Sequence, residues 1–188
     1  MDASRAMRPV PAARLRTTRR RLRDAGGAFL ALGLMSAAAA AADDAQRIEG
    51  CLATAEARTD CIGVIARDCE GIGGTTQSIA ACYEREAAGW DRLLNAWWPR
   101  MRALAHAADA SNRDQFGADF RSAAETQLAA QRAWIAFRDA ECAHQYLLSA
   151  GGSIRVIVGA ICRLDVTARR VIDFADTLSS YDREGARR

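Results

Sequence analysis

Lysine is missing altogether: all 26 basic residues are arginine. That removes a lysine nucleophile, a Schiff base and a Walker-type phosphate site. Proline is nearly missing, with Pro9, Pro11 and Pro99 alone, and the only histidines are His106 and His144. Two histidines are too few for a His-rich metal centre. No CxxC occurs, which excludes thioredoxin-like redox chemistry and zinc-ribbon spacing, and the isolated Cys142-Ala143-His144 lacks a second ligand pair. There is no G-x-S-x-G nucleophile elbow, and the carboxylates are scattered with no pair announcing glycosidase geometry. The reading is a non-enzyme with no catalytic residue, no metal and no cofactor.

What the chain has in abundance is alanine, 42 of 188 residues. An alanine-rich, proline-poor chain is helical, which excludes a β-sandwich or barrel. Residues 1–24 carry eight Arg against Asp2 and Asp24. An uncharged stretch follows from Ala25 to Ala42, with its apolar centre at Phe29–Met35 and a small-residue end at Ala40-Ala41-Ala42. Basic, apolar, then small is the order of a secretory signal, so residues 1–42 are expected to be removed near Asp43. The Sec route is favoured, although Arg19-Arg20-Arg21 also fits a twin-arginine route. A periplasmic or secreted protein without stable membrane insertion follows. Residues 43–188 hold 18 Arg against 21 acidic residues, and this mild negative charge argues against a nucleic-acid partner.

All six cysteines, Cys51, Cys61, Cys69, Cys82, Cys142 and Cys162, lie beyond the expected cleavage point. An even number in an exported chain predicts three disulfides, with fifteen possible pairings. Periodicity predicts four helices in an all-α, disulfide-stapled up-and-down bundle. The first spans about 45–69 and the second about 76–108, with a kink or break near Asn95 because of Pro99. A turn is expected at 110–114. The third helix then runs to about 148, with Phe116, Phe120, Ala124, Leu128, Gln131, Trp134, Arg138 and Cys142 facing inward. The turn Ser149–Ser153 leads into a fourth helix, with Ser153 as its N-cap and Ile154, Val158, Ile161, Val171, Ala175 and Leu178 on one side. Residues 43–68 form an N-terminal extension, 69–180 the main helical domain, and 181–188 a polar tail.

Gln131, Trp134, Arg138 and Cys142 share an arc of about 80° on the third helix. A guanidinium there needs a partner, and Asp91 supplies it, with Asn95 and Gln131 satisfying the remaining polar atoms. A competing reading makes Gln131 and Arg138 part of a binding pocket. Two surface features could engage a protein partner. One is the loop Gly151, Gly152, Ser153 and Arg155, whose plain role is helix capping. The other is Trp98 beside Pro99, which otherwise packs under the first helix.

Several motifs stand in order: Thr76-Gln77, Cys82, Trp90-Asp91-x-x-Leu94-Asn95, Gln131-x-x-Trp134-x-x-Phe137-Arg138-Asp139-x-x-Cys142, Gly151-Gly152-Ser153, Cys162, Thr167 and Arg170. Over residues 69–178 the chain resembles the LprI N-terminal-like family of exported bacterial proteins. The resemblance implies a helical fold. Its naming member is described as an inhibitor of c-type lysozyme, which makes such a lysozyme the first partner to consider. Cys69, Cys82, Cys142 and Cys162 correspond to the family's usual cysteines, whereas Cys51 and Cys61 are an addition. The chain departs from the namesake in lacking a lipid-attachment cysteine, and it has Trp97-Trp98-Pro99 where members usually show Tyr. The alternative to an inhibitor that occludes the lysozyme cleft is a periplasmic envelope module with a bacterial protein partner. The oligomeric state stays open.

Overall fold

The computed structural model describes residues 43–117 and 120–185, so the expected signal segment, 1–42, lies outside the described residues. Four α-helices make the fold among the described residues: α1 (43–54), α2 (Thr76–Phe116), α3 (Ala123–Leu148) and α4 (Arg155–Gly185). No strand occurs among the described residues, and the all-α bundle stands. The cysteines pair with their neighbours in sequence, Cys51–Cys61, Cys69–Cys82 and Cys142–Cys162.

The first helix is shorter than periodicity suggested. It stops at residue 54 and gives way to three 3-10 turns, Arg58–Cys61, Ala66–Asp68 and Glu70–Gly73. The reason is a competing acceptor. Glu86 of α2 takes the N–H groups of Gly63, Ile65 and Ala66, donors that an α-helix would have spent on its own carbonyls.

The second helix is longer than expected, 41 residues running unbroken through Pro99 and through the polar stretch 110–114. Proline leaves the Asn95 carbonyl without its intrahelical donor. Packing on both sides of that point outweighs the loss: Leu94, Trp97, Trp98 and Met101 all join the core cluster. The actual stop is Gly117, at φ +52, whose N–H caps the Arg113 carbonyl. Ser122 then caps α3, its Oγ accepting from the Glu125 amide. Phe116, expected inside, is therefore exposed, and Phe120 packs under the Arg113 guanidinium, 5.0 Å from ring centroid to Cζ.

The core lies between α2 and α4, where Trp90, Val171, Ala168 and Phe174 are almost entirely buried. The inward face of α4 starts later than predicted. Ile154 and Ile161 are exposed, while Ala160, Leu164, Ala168, Val171 and Leu178 point inward. The helix continues to Gly185, through most of the expected tail. Ile48, Leu52, Cys61 and Ile65 belong to the same cluster as Trp90 and Phe174, so residues 43–68 close one end of a shared core. α1 comes close enough to α2 that a Cβ at Gly89 would lie 2.9 Å from Ile48 Cδ1. α3 is the thin layer, burying only Gln131 and Cys142.

Candidate functional site

Two separate sets of residues emerge. The first is a polar seam where α2, α3 and α4 meet. Arg138 of α3 reaches Asp91 of α2 at 3.6 Å, too long for a strong hydrogen bond, and its Nε donates to Asp139 at 3.0 Å. Asn95 donates to the Asp91 carboxylate and carbonyl, as a neighbour one turn on. Gln131 does not serve Arg138. Its buried carbonyl oxygen accepts from Nε and Nη2 of Arg170, at 3.1 and 3.0 Å. Trp134 lies between the two cations, with guanidinium carbons 5.2 Å (Arg138) and 5.8 Å (Arg170) from its ring centroid. Arg170 also covers Phe174 at 5.0 Å.

The expected Arg138–Asp91 pair is present, with the Arg138 side chain largely out of water; the correction is Gln131, which serves a second arginine, Arg170. Burial pushes the Arg170 guanidinium below its ordinary value, and Asp173 offsets part of that. Asp91, Asn95, Trp98, Gln131, Trp134 and Arg138 line one shallow groove of about 320 Å³. Trp98 does not stand free: it packs against the core cluster that includes Ile48 and Leu52 of α1. It is half-buried and stacks on Phe174 of α4, centroids 6.0 Å apart, while Trp97 turns to α1 and donates to Glu49 at 3.3 Å.

The second set is the tip joining α3 to α4. Gly151, Gly152, Ser153 and Arg155 are all exposed. Sequence reasoning missed their neighbours: Leu147, Leu148 and Ile154 are 65%, 73% and 52% exposed. Ser153 does not cap α4; its hydroxyl meets that of Thr76, at the start of α2, at 3.4 Å. Arg155 donates to the Ala150 carbonyl at 3.2 Å and lies over Tyr146. The Cys142–Cys162 bridge ties the two helices just behind this turn. Thr76 and Trp98 are 22 residues apart on one helix, roughly 33 Å, so the tip and the Trp98 groove cannot act as one site.

Three buried carboxylates escaped the sequence reading. Glu86 is fully buried and, besides its three amides, accepts from Trp90 Nε1 at 3.0 Å. Its place in the Cys82–Glu86–Trp90 row was a readable signal; the loop it collects was not. Asp44 forms a two-point pair with Arg85, both bonds 2.7 Å, and this hydrogen bond holds the Arg85 guanidinium above its ordinary value against the cost of burial. Asp109 accepts from the Ser122 hydroxyl and the Ala123 and Ala124 amides at the start of α3. Burial alone would raise the Asp109 carboxyl. Those three donors, with His106 nearby, outweigh it and hold the carboxyl below its ordinary value.

No group of three metal-capable side chains gathers among the described residues, and none of their helices is long and apolar enough to cross a membrane. Three disulfides are what an extracytoplasmic protein carries. No solved structure matches the chain. An uncharacterized protein of Rhizobium meliloti (strain 1021) is 27% identical over 101 residues, covering 54% of this chain and 72% of that protein. The family described as lysozyme inhibitor LprI matches residues 67–174, which hold the polar seam, the Cys69–Cys82 and Cys142–Cys162 bridges and the tip. With more than half of its length matched, the chain belongs to the lysozyme inhibitor LprI family.

Proposed function

We propose that this protein binds a c-type lysozyme outside the cytoplasm and occludes its cleft with the α3–α4 tip, without chemistry of its own. The observation that carries the reading is the tip itself. Leu147, Leu148 and Ile154 are large apolar side chains left in water around a glycine pair, on a turn braced by Cys142–Cys162. Exposed apolar side chains grouped on a small projection are a protein-contact feature. Gly151 and Gly152 allow close backbone approach, and Arg155 is a cation at the rim for the acidic residues of a glycosidase cleft. The family supports a protein-binding rather than a catalytic role. The slight negative charge of residues 43–188 adds only weak steering toward a basic lysozyme.

The test is a titration of the oxidised, exported protein against c-type lysozyme, with Leu148→Asp beside it. Inhibition that saturates near equal stoichiometry and falls at least tenfold in potency with Leu148→Asp is expected. An uninhibited lysozyme at large molar excess removes the reading, and full potency in Leu148→Asp removes the tip. The alternative, an envelope module with a bacterial partner, would use Trp98, which is half-buried and stacked on Phe174 at the edge of the groove.

A further inference from the structure

Among the described residues, nothing packs on the outward side of α3. Going along it, Thr126, Ala129, Ala133, Ala136, Ala140, Ala143 and Leu147 recur at alternating spacings of three and four, and every one is exposed. This is the a/d seam of a coiled coil, pointing away from the molecule's own core. Phe137, 57% exposed, lies beside it with Ala130 and His144. The exposed charges of α3 lie on the opposite flank, where Glu125, Arg132 and Asp139 stand seven residues apart, whereas Arg138 and Glu141 are partly buried.

We propose that α3 pairs, antiparallel, with α3 of a second copy of this chain. Charge selects this occupant and its register. With a two-fold axis between Trp134 and Ile135, Ala133 faces Ala136 of the other copy, Ala129 faces Ala140, and Thr126 faces Ala143. The flanks then bring Arg132 of each copy within about two residues, or ~3 Å along the axis, of Asp139 of the other. Phe137 of each copy falls over Ala130 of the other, a large side chain against a small one. Sliding the helices by one further layer sets Asp139 against Asp139, and parallel pairing sets Arg132 against Phe137. The two-fold antiparallel register thus combines complementary charge with complementary size. Asp139 already neighbours Arg138, so the intermolecular partner adds to an existing pair. In this dimer the two α3–α4 tips point to opposite ends: Leu147 closes each end of the seam, while Leu148, Ile154 and the glycine pair stay uncovered.

One helix pair is a small interface, which places the association at the weak, concentration-dependent end. Sedimentation equilibrium of the oxidised, exported protein from about 10 µM to about 1 mM tests it. The expected result is a monomer–dimer equilibrium within that range. Ala136→Glu should stay monomeric throughout while keeping its helix content, because Ala136 is exposed in the single chain. Arg132→Asp should weaken the dimer about tenfold, and adding Asp139→Arg should restore it. A wild-type monomer up to about 1 mM, a dimer that survives Ala136→Glu, or a double exchange no better than the single one would each overturn the proposal. Lysozyme inhibition per chain should be the same in Ala136→Glu, so failure of the dimer and failure of the inhibitor reading are told apart.

Discussion

Residues 43–73 and helix α3 make an instructive pair. The first is a short helix followed by three 3-10 turns, with little regular hydrogen bonding, yet it places Asp44, Ile48, Cys61, Ile65 and Ala66 almost wholly out of water. The second is 26 residues of unbroken α-helix and buries only Gln131 and Cys142. Regularity and burial are therefore separate quantities here. An irregular segment has to be held by something outside itself, and Glu86 does so by gathering its free amides. A helix satisfies its own backbone and can remain at the edge of the core with one face open.

The largest expected effect tests that contrast directly. Glu86→Ala orphans three loop amides and the Trp90 indole, and should cost about 3–5 kcal/mol in urea unfolding. A loss under about 1 kcal/mol would mean that the N-terminal segment holds itself. Next come the bridges. Replacing either Cys51–Cys61 or Cys142–Cys162 by alanine pairs should cost about 2–4 kcal/mol. Their sequence separations are 10 and 20. If chain closure governs the cost, the second should be dearer by about 0.6 kcal/mol. The reverse order would show that native contacts around Cys61 dominate.

Smaller effects sharpen the comparison. Ala168→Leu overfills the α2–α4 core and should destabilise by about 1–3 kcal/mol, whereas Ala133→Leu on the open side of α3 should stay within about 0.5 kcal/mol, both read by thermal or urea unfolding. Equal costs would contradict the inside–outside assignment of α3. Last is acid. Asp109 is held below the ordinary aspartate value of 3.8 in the folded chain. Its contribution is therefore present above that value and lost as pH falls through the folded one. Asp109→Asn should flatten the stability curve below about pH 4, with faster amide exchange confined to the first turn of α3.

Helix number, the long second helix and the use of all six cysteines were legible because periodicity and even cysteine count are local signals. Depth was not. The arc of Gln131, Trp134 and Arg138 was read correctly as inward, but azimuth on a wheel does not tell how far a helix sits from the centre. Arg138 ends in a shallow seam, and Gln131 turns to Arg170, 39 residues away. Pro99 illustrates tertiary override: its local cost is real, and packing by Trp97, Trp98 and Met101 carries the helix through it. The turn was misplaced because polar residues 110–114 were weighed above Gly117, the residue whose backbone can take a positive φ. Leu147 and Leu148 were invisible as surface features, since a pair of leucines before a turn reads as core.

The Cys142–Cys162 bridge has a consequence for how the tip would bind. Leu148 lies only six positions after Cys142, and Arg155 seven positions before Cys162, so the turn is clamped on both sides close to its apex. A projection shaped in advance surrenders little conformational freedom when a partner closes around it, and more of its contact energy is left as affinity.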